Sequence, residues 1–233
     1  MRMKSVVISL LSVLLLVSAV ACSGNDEGKA DADKEAVRKQ TPPEVPAPDF
    51  EALAAKVADI RDSANPFVTL ETNHGKLTLE LYRDVAPVHV DSFVARTQEG
   101  FYDSTTFHRV IENFMIQGGD PKGDGTGNAG YFLNQEFSDL PHEEGTLSMA
   151  RARDPNSASC QFFICLGRNR STQSLDGQYT VFGHLIRGYD VLHKIGQVPV
   201  VASPTGERSK PVETVWLVDA YVSDAEGNPV KKG

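Results

Sequence analysis

From Pro66 onward the chain turns to short strand-like runs, the first of them alternating apolar and polar residues, separated by turns bearing glycine, proline or asparagine. A period of two places alternate side chains on opposite faces of a strand, so this texture commits the chain to β structure. The clearest case is "FVTLETNHGKLTLELY", where two alternating runs flank a turn at Asn73-His74-Gly75, as in a hairpin. Further strands are expected over Thr106–Ile111, Met115–Gly118, Thr146–Ala150, Gln161–Leu166, Tyr179–Leu185 and Thr214–Tyr221. Only two helices interrupt them. "APVHVDSFVARTQEG" turns Val90, Phe93 and Val94 inward and stops at Gly100, and "YDVLHKIG" is a second, shorter one. Many short strands, nineteen glycines, thirteen prolines and so few helices imply a mainly β fold closed into a barrel.

The first 64 residues have a different character. "MRMK" is positive, Val6 to Val20 form an uncharged apolar run, and the small residues "SAVAC" follow, the layout of a secretory signal over residues 1–21. The run is shorter than the roughly 20 apolar residues that span a bilayer, although an uncleaved anchor stays open. Ala19-Val20-Ala21-Cys22 resembles a bacterial lipobox, with Ala19 where leucine is favoured, and Cys22 would then carry diacylglycerol. The same residues fit an A-x-A cleavage site that would release a soluble, secreted protein. Lipidation is the preferred expectation, because the lone N-terminal cysteine falls at the cleavage junction; two acyl chains there would hold the protein to a membrane where one would not. Residues 22–49, ending "TPPEVPAPD", are too polar to build a core and read as a disordered tether. Residues 50–64 carry Phe50, Leu53, Val57 and Ile60 at helical spacing, with Asp49 as N-cap; this stripe would dock on the following domain or on a second copy.

Several chemistries find no support. The formal net charge of −8 is the wrong sign for electrostatic nucleic-acid binding. Cys160 and Cys165, five residues apart in "SCQFFIC", would sit roughly 17 Å apart on opposite faces of a strand. That is too far for a disulfide, which needs Cα atoms within about 7 Å, so both are expected as free core thiols. No CxxC or HExxH is present and the six histidines are scattered, so no metal or other cofactor is expected. Gly125 to Gly130 match G-x-G-x-x-G, but "DPKGD" precedes and "YFLNQEF" follows, neither of which is the strand-then-helix setting of a dinucleotide site; a surface loop is expected. Ser148 in "GTLSMA" lacks the glycines of a nucleophile elbow.

One run poses a question. In "TFHRVIENFMIQGGD", Arg109 and Gln117 stand among residues that otherwise read as core, and buried charge is costly unless paired or at work. Together with "GTGNAGY", "GTLSMAR", "SCQFFICLG" and "LDGQYTVFGHLIRGYDVLHKI", this run resembles the cyclophilin family of peptidyl-prolyl isomerases, in the same order and spacing, from Phe67 to about Val222.

The resemblance implies an eight-stranded antiparallel barrel capped by two α-helices over residues 65–225, a tail at 226–233, and a substrate groove on the barrel's outer surface. It implies an enzyme that rotates X–Pro bonds. Amide resonance sets that barrier at about 18–20 kcal/mol, and lowering it by about 7 kcal/mol would accelerate exchange roughly 10⁵-fold. Arg109 matches the family's catalytic arginine, a donor that strengthens as the proline nitrogen pyramidalises; this needs neither cofactor nor nucleophile. Phe114, Met115 and Phe163 match the proline pocket, and Leu175 closes it. Gln117 and Gln161 match groove glutamines, one holding a substrate carbonyl and the other orienting Arg109. Ala150 and Arg151 match positions that line the groove ahead of proline, with Arg151 replacing a more usual asparagine. Ser174 stands where many members carry tryptophan, and Tyr179 where they carry histidine. The lost indole predicts weak or no binding of cyclosporin, the family's macrocyclic inhibitor.

The expectation is therefore a monomeric, lipid-anchored isomerase on the extracytoplasmic side of a bacterial cell envelope, or a secreted soluble one. Its partners would be proline-containing polypeptides. The competing expectation is a peptide-binding chaperone or adaptor that uses the same groove without turnover.

Overall fold

The computed structural model describes residues 65–230. The expected signal segment, Cys22, tether and residue 50–64 helix lie outside them. The chain runs β1 (Phe67–Thr72), β2 (Gly75–Leu81), α1 (Pro87–Gln98), β3 (Thr105–Thr106), β4 (Arg109–Ile111), β5 (Met115–Gly118), β6 (Thr146–Met149) and β7 (Phe162–Cys165). There follow α2 (Arg170–Gln173), β8 (Val181–Arg187), α3 (Tyr189–Gly196), β9 (Val200–Ala202), β10 (Arg208–Pro211) and β11 (Trp216–Ser223).

The main sheet is curled and antiparallel, with nine strands in the order β3-β11-β1-β2-β8-β6-β7-β5-β4. The expected eight strands and two helices are thus corrected to nine strands, a separate β9–β10 ribbon and three helices among the described residues. The extra strand has a simple origin. The expected strand Thr106–Ile111 is interrupted at Phe107 and His108, so one stretch of chain supplies both ends of the sheet order as β3 and β4. Two other strands shift by two residues at both ends, to Val181–Arg187 and Trp216–Ser223. Tyr179 belongs instead to the preceding turn, its N–H donating to Leu175 O at 3.2 Å. Within the expected tail, Pro229 bridges to Ser223 and Val230 N donates to Val222 O at 3.0 Å.

The inner face of the sheet holds the main core: Val68, Leu70, Leu77, Leu79, Leu81, Val110, Ile116, Leu147, Phe162, Ile164 and Phe182 are all fully buried. Helix α1 lays Val90, Phe93 and Val94 onto it. The Phe93 ring meets Tyr102, Phe162 and Phe182 at centroid separations of 5.1, 5.3 and 5.3 Å, tilted or edge-on as aromatic quadrupoles prefer. Helix α1 starts on Pro87 with no side-chain cap of its own. Glu136, from a distant loop, supplies one by accepting from Val88 N and His89 N at 3.2 and 3.0 Å. Helix α3 begins after Gly188, whose φ of 98° and whose position against Lys76 O, 2.2 Å from where a Cβ would stand, leave no room for a side chain.

Candidate active site

Alternation along four adjacent strands separates two sets of side chains. Val110, Ile116, Leu147, Phe162 and Ile164 join the inner core, whereas Met115, Phe163 and Cys165 form a second, smaller apolar cluster with Ile111, Phe114, Ala150, Leu175 and Tyr179 around it. The register places Arg109 opposite Gln117, Gln117 opposite Phe163, and Phe163 opposite Ser148, so these side chains form one row across the outer face. This answers the question posed by the polar residues of "FHRVIENFMIQGG". Arg109 and Gln117 occupy the outward positions of strands whose inward positions are core.

A concavity of about 110 Å³ opens on that face. Phe114, Met115 and Phe163 line it, Leu175 and Tyr179 flank it, and Arg109, Gln117, Ala150 and Arg151 complete its rim. Nine of the ten side chains expected at a substrate site therefore meet at one place. The tenth, Gln161, lies in an adjoining groove that shares Gln117, Ala150 and Arg151.

Polar side chains around the concavity form a continuous relay. Arg109 Nη1 donates to Gln117 Oε1 at 3.0 Å, Gln117 Nε2 donates to Gln161 Oε1 at 3.0 Å, and Gln161 Nε2 donates to Gly125 O and Gly127 O at 3.1 and 2.8 Å. Of the two glutamines, Gln117 is the one bonded to Arg109, and Gln161 is bonded to Gln117. On its other edge Arg109 is held by Glu207, with Nε and Nη2 donating to the two carboxylate oxygens at 2.7 and 2.8 Å. The hydrogen bonds from Arg109 hold the Glu207 carboxyl below the usual carboxylate range against the opposing effect of its partial burial. Arg151 is spent on structure: its guanidinium donates to Gln178 O and Ala152 O, and lies 4.4 Å from the Tyr179 ring centroid.

The glycine run dismissed as a dinucleotide motif proves to be a wall of the adjoining groove, which Gly125, Thr126, Gly127 and Asn128 line. The loop leading into it does bind an anion, but the anion is the protein's own. The buried Asp120 carboxylate accepts from Lys122 N, Asp124 N and Gly125 N, and a Cβ on Gly127 would stand 1.9 Å from Asp120 Oδ1.

Behind Phe163 lies an arrangement that the sequence did not disclose. His142 stacks under the Phe163 ring at 5.9 Å, its Nε2 is 3.0 Å from Ser148 Oγ and its Nδ1 is 3.1 Å from Asp176 Oδ1. The atoms have the order of a hydrolytic triad, yet Ser148 is fully buried and donates its proton to Thr180 O at 3.0 Å, so no substrate reaches it. Burial pushes the His142 pKa down, while the hydrogen bond from Arg168 holds Asp176 well below the usual carboxylate range. The group packs against Phe163, which lines the pocket, without lining the pocket itself. Cys160 and Cys165 are both free and buried, one in each apolar cluster, with burial pushing each thiol up to about 12. Among the described residues no cluster of His, Cys, Asp or Glu is placed to hold a metal ion.

Comparison with known proteins agrees with this geometry. The cyclophilin-type peptidyl-prolyl cis-trans isomerase family profile matches residues 67–222. The chain is 41% identical over 165 residues to peptidyl-prolyl cis-trans isomerase-like 1 of Gibberella zeae, covering 68% of this chain and 96% of that protein. It is also 41% identical over 140 residues to a peptidyl-prolyl cis-trans isomerase of Acinetobacter baylyi, covering 58% and 74%. Among solved structures, a cyclophilin-type isomerase of Cryptosporidium parvum, crystallised in the presence of the dipeptide Ala-Pro, superposes with a TM-score of 0.62 at 34% identity, covering 68% of this chain and 99% of that one. With the outer-face site, the matched family profile and relatives covered almost end to end, this chain belongs to the cyclophilin-type peptidyl-prolyl cis-trans isomerases.

Proposed function

We propose that this isomerase turns X–Pro bonds by seating the proline ring among Phe114, Met115 and Phe163 while Arg109 faces the imide nitrogen. One observation carries the reading: Arg109 Nη1, aimed by Gln117, stands on the rim of an apolar slot on the same sheet face. An apolar slot grips the pyrrolidine ring by burial and dispersion and leaves the preceding carbonyl free to swing. As the bond twists, the proline nitrogen loses conjugation and its lone pair localises. A guanidinium donor fixed in advance binds that state more strongly than the planar ground state. Arginine suits the role because it stays charged and its planar fork holds direction. Ala150 and the wall formed by Arg151 and Tyr179 would receive the residues preceding proline, and Leu175 would close the pocket beyond the ring.

The curled sheet would act as a closed barrel, because Thr106 bridges to Asp120 while it also pairs with Trp216. The substrates would be proline-containing stretches of polypeptide, in keeping with the Ala-Pro dipeptide present with the similar Cryptosporidium parvum enzyme. The features of "MRMK", the apolar run and Cys22 support a lipid-anchored enzyme on the extracytoplasmic face of a bacterial envelope, where X–Pro exchange limits folding for tens to hundreds of seconds. The mass of the mature N-terminus from the native host tests that placement. A diacylglyceryl group on Cys22 is expected, and an unmodified Cys22 start would mean simple secretion.

Refolding of a protein whose slow phase is an X–Pro isomerisation tests the activity. The enzyme is expected to shorten that phase in proportion to its concentration. A phase that keeps its rate while refolding yield rises would replace this reading with a non-catalytic peptide-binding chaperone.

A further inference from the structure

The β9–β10 ribbon lies outside the main sheet, and β10 packs beside β4, the strand that carries Arg109. The turn joining its two strands is tight: Gly206 N donates to Ser203 O at 2.9 Å and Ser203 N to Glu207 O at 2.7 Å, with Gly206 at a φ of 86°. That turn delivers one side chain, Glu207, to the Nε–Nη2 edge of Arg109, 98 residues away in sequence.

We propose that Glu207 is a positioning residue for Arg109, and that the ribbon exists at this site to hold the guanidinium at a fixed angle to the pocket. A guanidinium carries five N–H donors in a rigid plane. Here a bidentate carboxylate takes two of them, and Gln117 takes one on Nη1. Glu207 is absent from the lining of both concavities, whereas Arg109 and Gln117 line the smaller one. The carboxylate therefore grips the edge facing away from the substrate and leaves the Nη1 edge toward Met115 and the pocket. A carboxylate placed to compete with substrate would instead cover the pocket edge. Two anchors on opposite edges of a planar group fix both its tilt and its rotation, which either anchor alone would leave free. The pair also offsets part of the guanidinium charge, so its contribution must lie in direction.

The inference rests on the proposed role of Arg109, and the test separates the two. Cis–trans exchange of a short X–Pro peptide and peptide affinity are measured by NMR for the mature chain, for Glu207→Ala, Glu207→Gln and Arg109→Ala, and for the Arg109→Ala/Glu207→Ala double variant. Glu207→Ala is expected to slow exchange roughly tenfold with affinity nearly unchanged, the scale of a misaimed catalytic group. Glu207→Gln, which keeps one acceptor, falls between. The double variant exchanges no more slowly than Arg109→Ala alone, because Glu207 acts only through Arg109. The Arg109 Nε–H signal is expected to be sharp at neutral pH in the wild type and lost to solvent exchange in Glu207→Ala, while the backbone spectrum stays folded. Wild-type or faster exchange in Glu207→Ala overturns the proposal, as does a further loss in the double variant, which would mark a structural role. Arg109→Ala with full activity overturns the arginine mechanism and this inference with it.

Discussion

At Arg109 three elements meet on one side chain: β4 supplies it, Gln117 of β5 holds one edge, and Glu207 at the end of the ribbon turn holds the other. Most of that arrangement was legible in the sequence, since period-two alternation assigns Arg109, Met115, Gln117 and Phe163 to one face and Val110, Ile116 and Phe162 to the other. Glu207 and His142 were not. A single glutamate in a proline-rich turn, or a histidine in a loop, carries no periodicity, and its role comes from contacts distant in sequence. The open side of the pocket is also set by single residues. Ser174 ends α2 with its hydroxyl donating to Ser171 O, and Tyr179 turns its ring edge-on to Phe163 at 5.9 Å. Neither offers an indole wall or an N–H donor to a macrocycle. Calorimetric titration is expected to show weak or no binding of cyclosporin, with Ser174→Trp tightening it by roughly tenfold or more, as a buried aromatic anchor does. Nanomolar affinity in the unaltered protein would contradict this.

Helix α1 and the ribbon show how differently elements reveal themselves. The apolar stripe of α1 and the stop at Gly100 predicted its extent, yet its cap is Glu136, from a loop with no capping signature. Glu136 also lies 2.6 Å from His89 Nδ1 inside the fold. Burial alone would raise its pKa, but the hydrogen bonds from His89 and the helix N–H groups outweigh that and lower it. Glu136→Ala is expected to cost about 1–2 kcal/mol by urea unfolding, the range of a lost N-cap, with exchange activity kept. A change within about 0.5 kcal/mol would mean that solvent satisfies the helix end equally well. The ribbon escaped notice for the opposite reason. "PVVASPTGERSKP" holds three prolines and few apolar residues, because a two-stranded edge element needs neither a core face nor a full ladder.

Across the whole molecule, the buried histidines and the depressed carboxylates act in one direction as pH falls, opposed by Asp103, whose pKa burial raises. His108, His142 and His184 all have pKa values lowered chiefly by burial. The unfolded chain therefore takes up protons at these positions before the folded one does, near the ordinary histidine value of about 6.5. Their contribution is full above that value and declines as pH falls through it toward the folded values. Asp176, Glu136 and Glu207, with depressed pKa values, add a further loss in more acid solution, below the ordinary carboxylate range. Urea midpoints are expected to fall from pH 7.5 to 5 and more steeply below 4, all such pH values being roughly set by the unfolded-state ionisations. A midpoint that rises between neutral pH and 5 would show that the histidines gain partners on protonation. The strands of the curled sheet and much of its inner core were readable in the sequence because they depend on repeated local pattern, and the outer-face site through the family resemblance of the residues that form it. The strand count, the ribbon and the loop wrapped around Asp120 were not, because each depends on where distant segments come to rest.

The central claim is that Arg109 acts on the twisted bond and contributes little to holding the peptide. The measurement that tests it most directly is two-state NMR exchange of an X–Pro peptide with wild type and Arg109→Ala, extracting affinity and interconversion rate from the same spectra. The account predicts affinity within about threefold and an exchange rate lower by roughly 10²-fold or more, the loss typical of removing a preorganised transition-state donor. Equal losses in affinity and rate, or an unchanged rate, would contradict it.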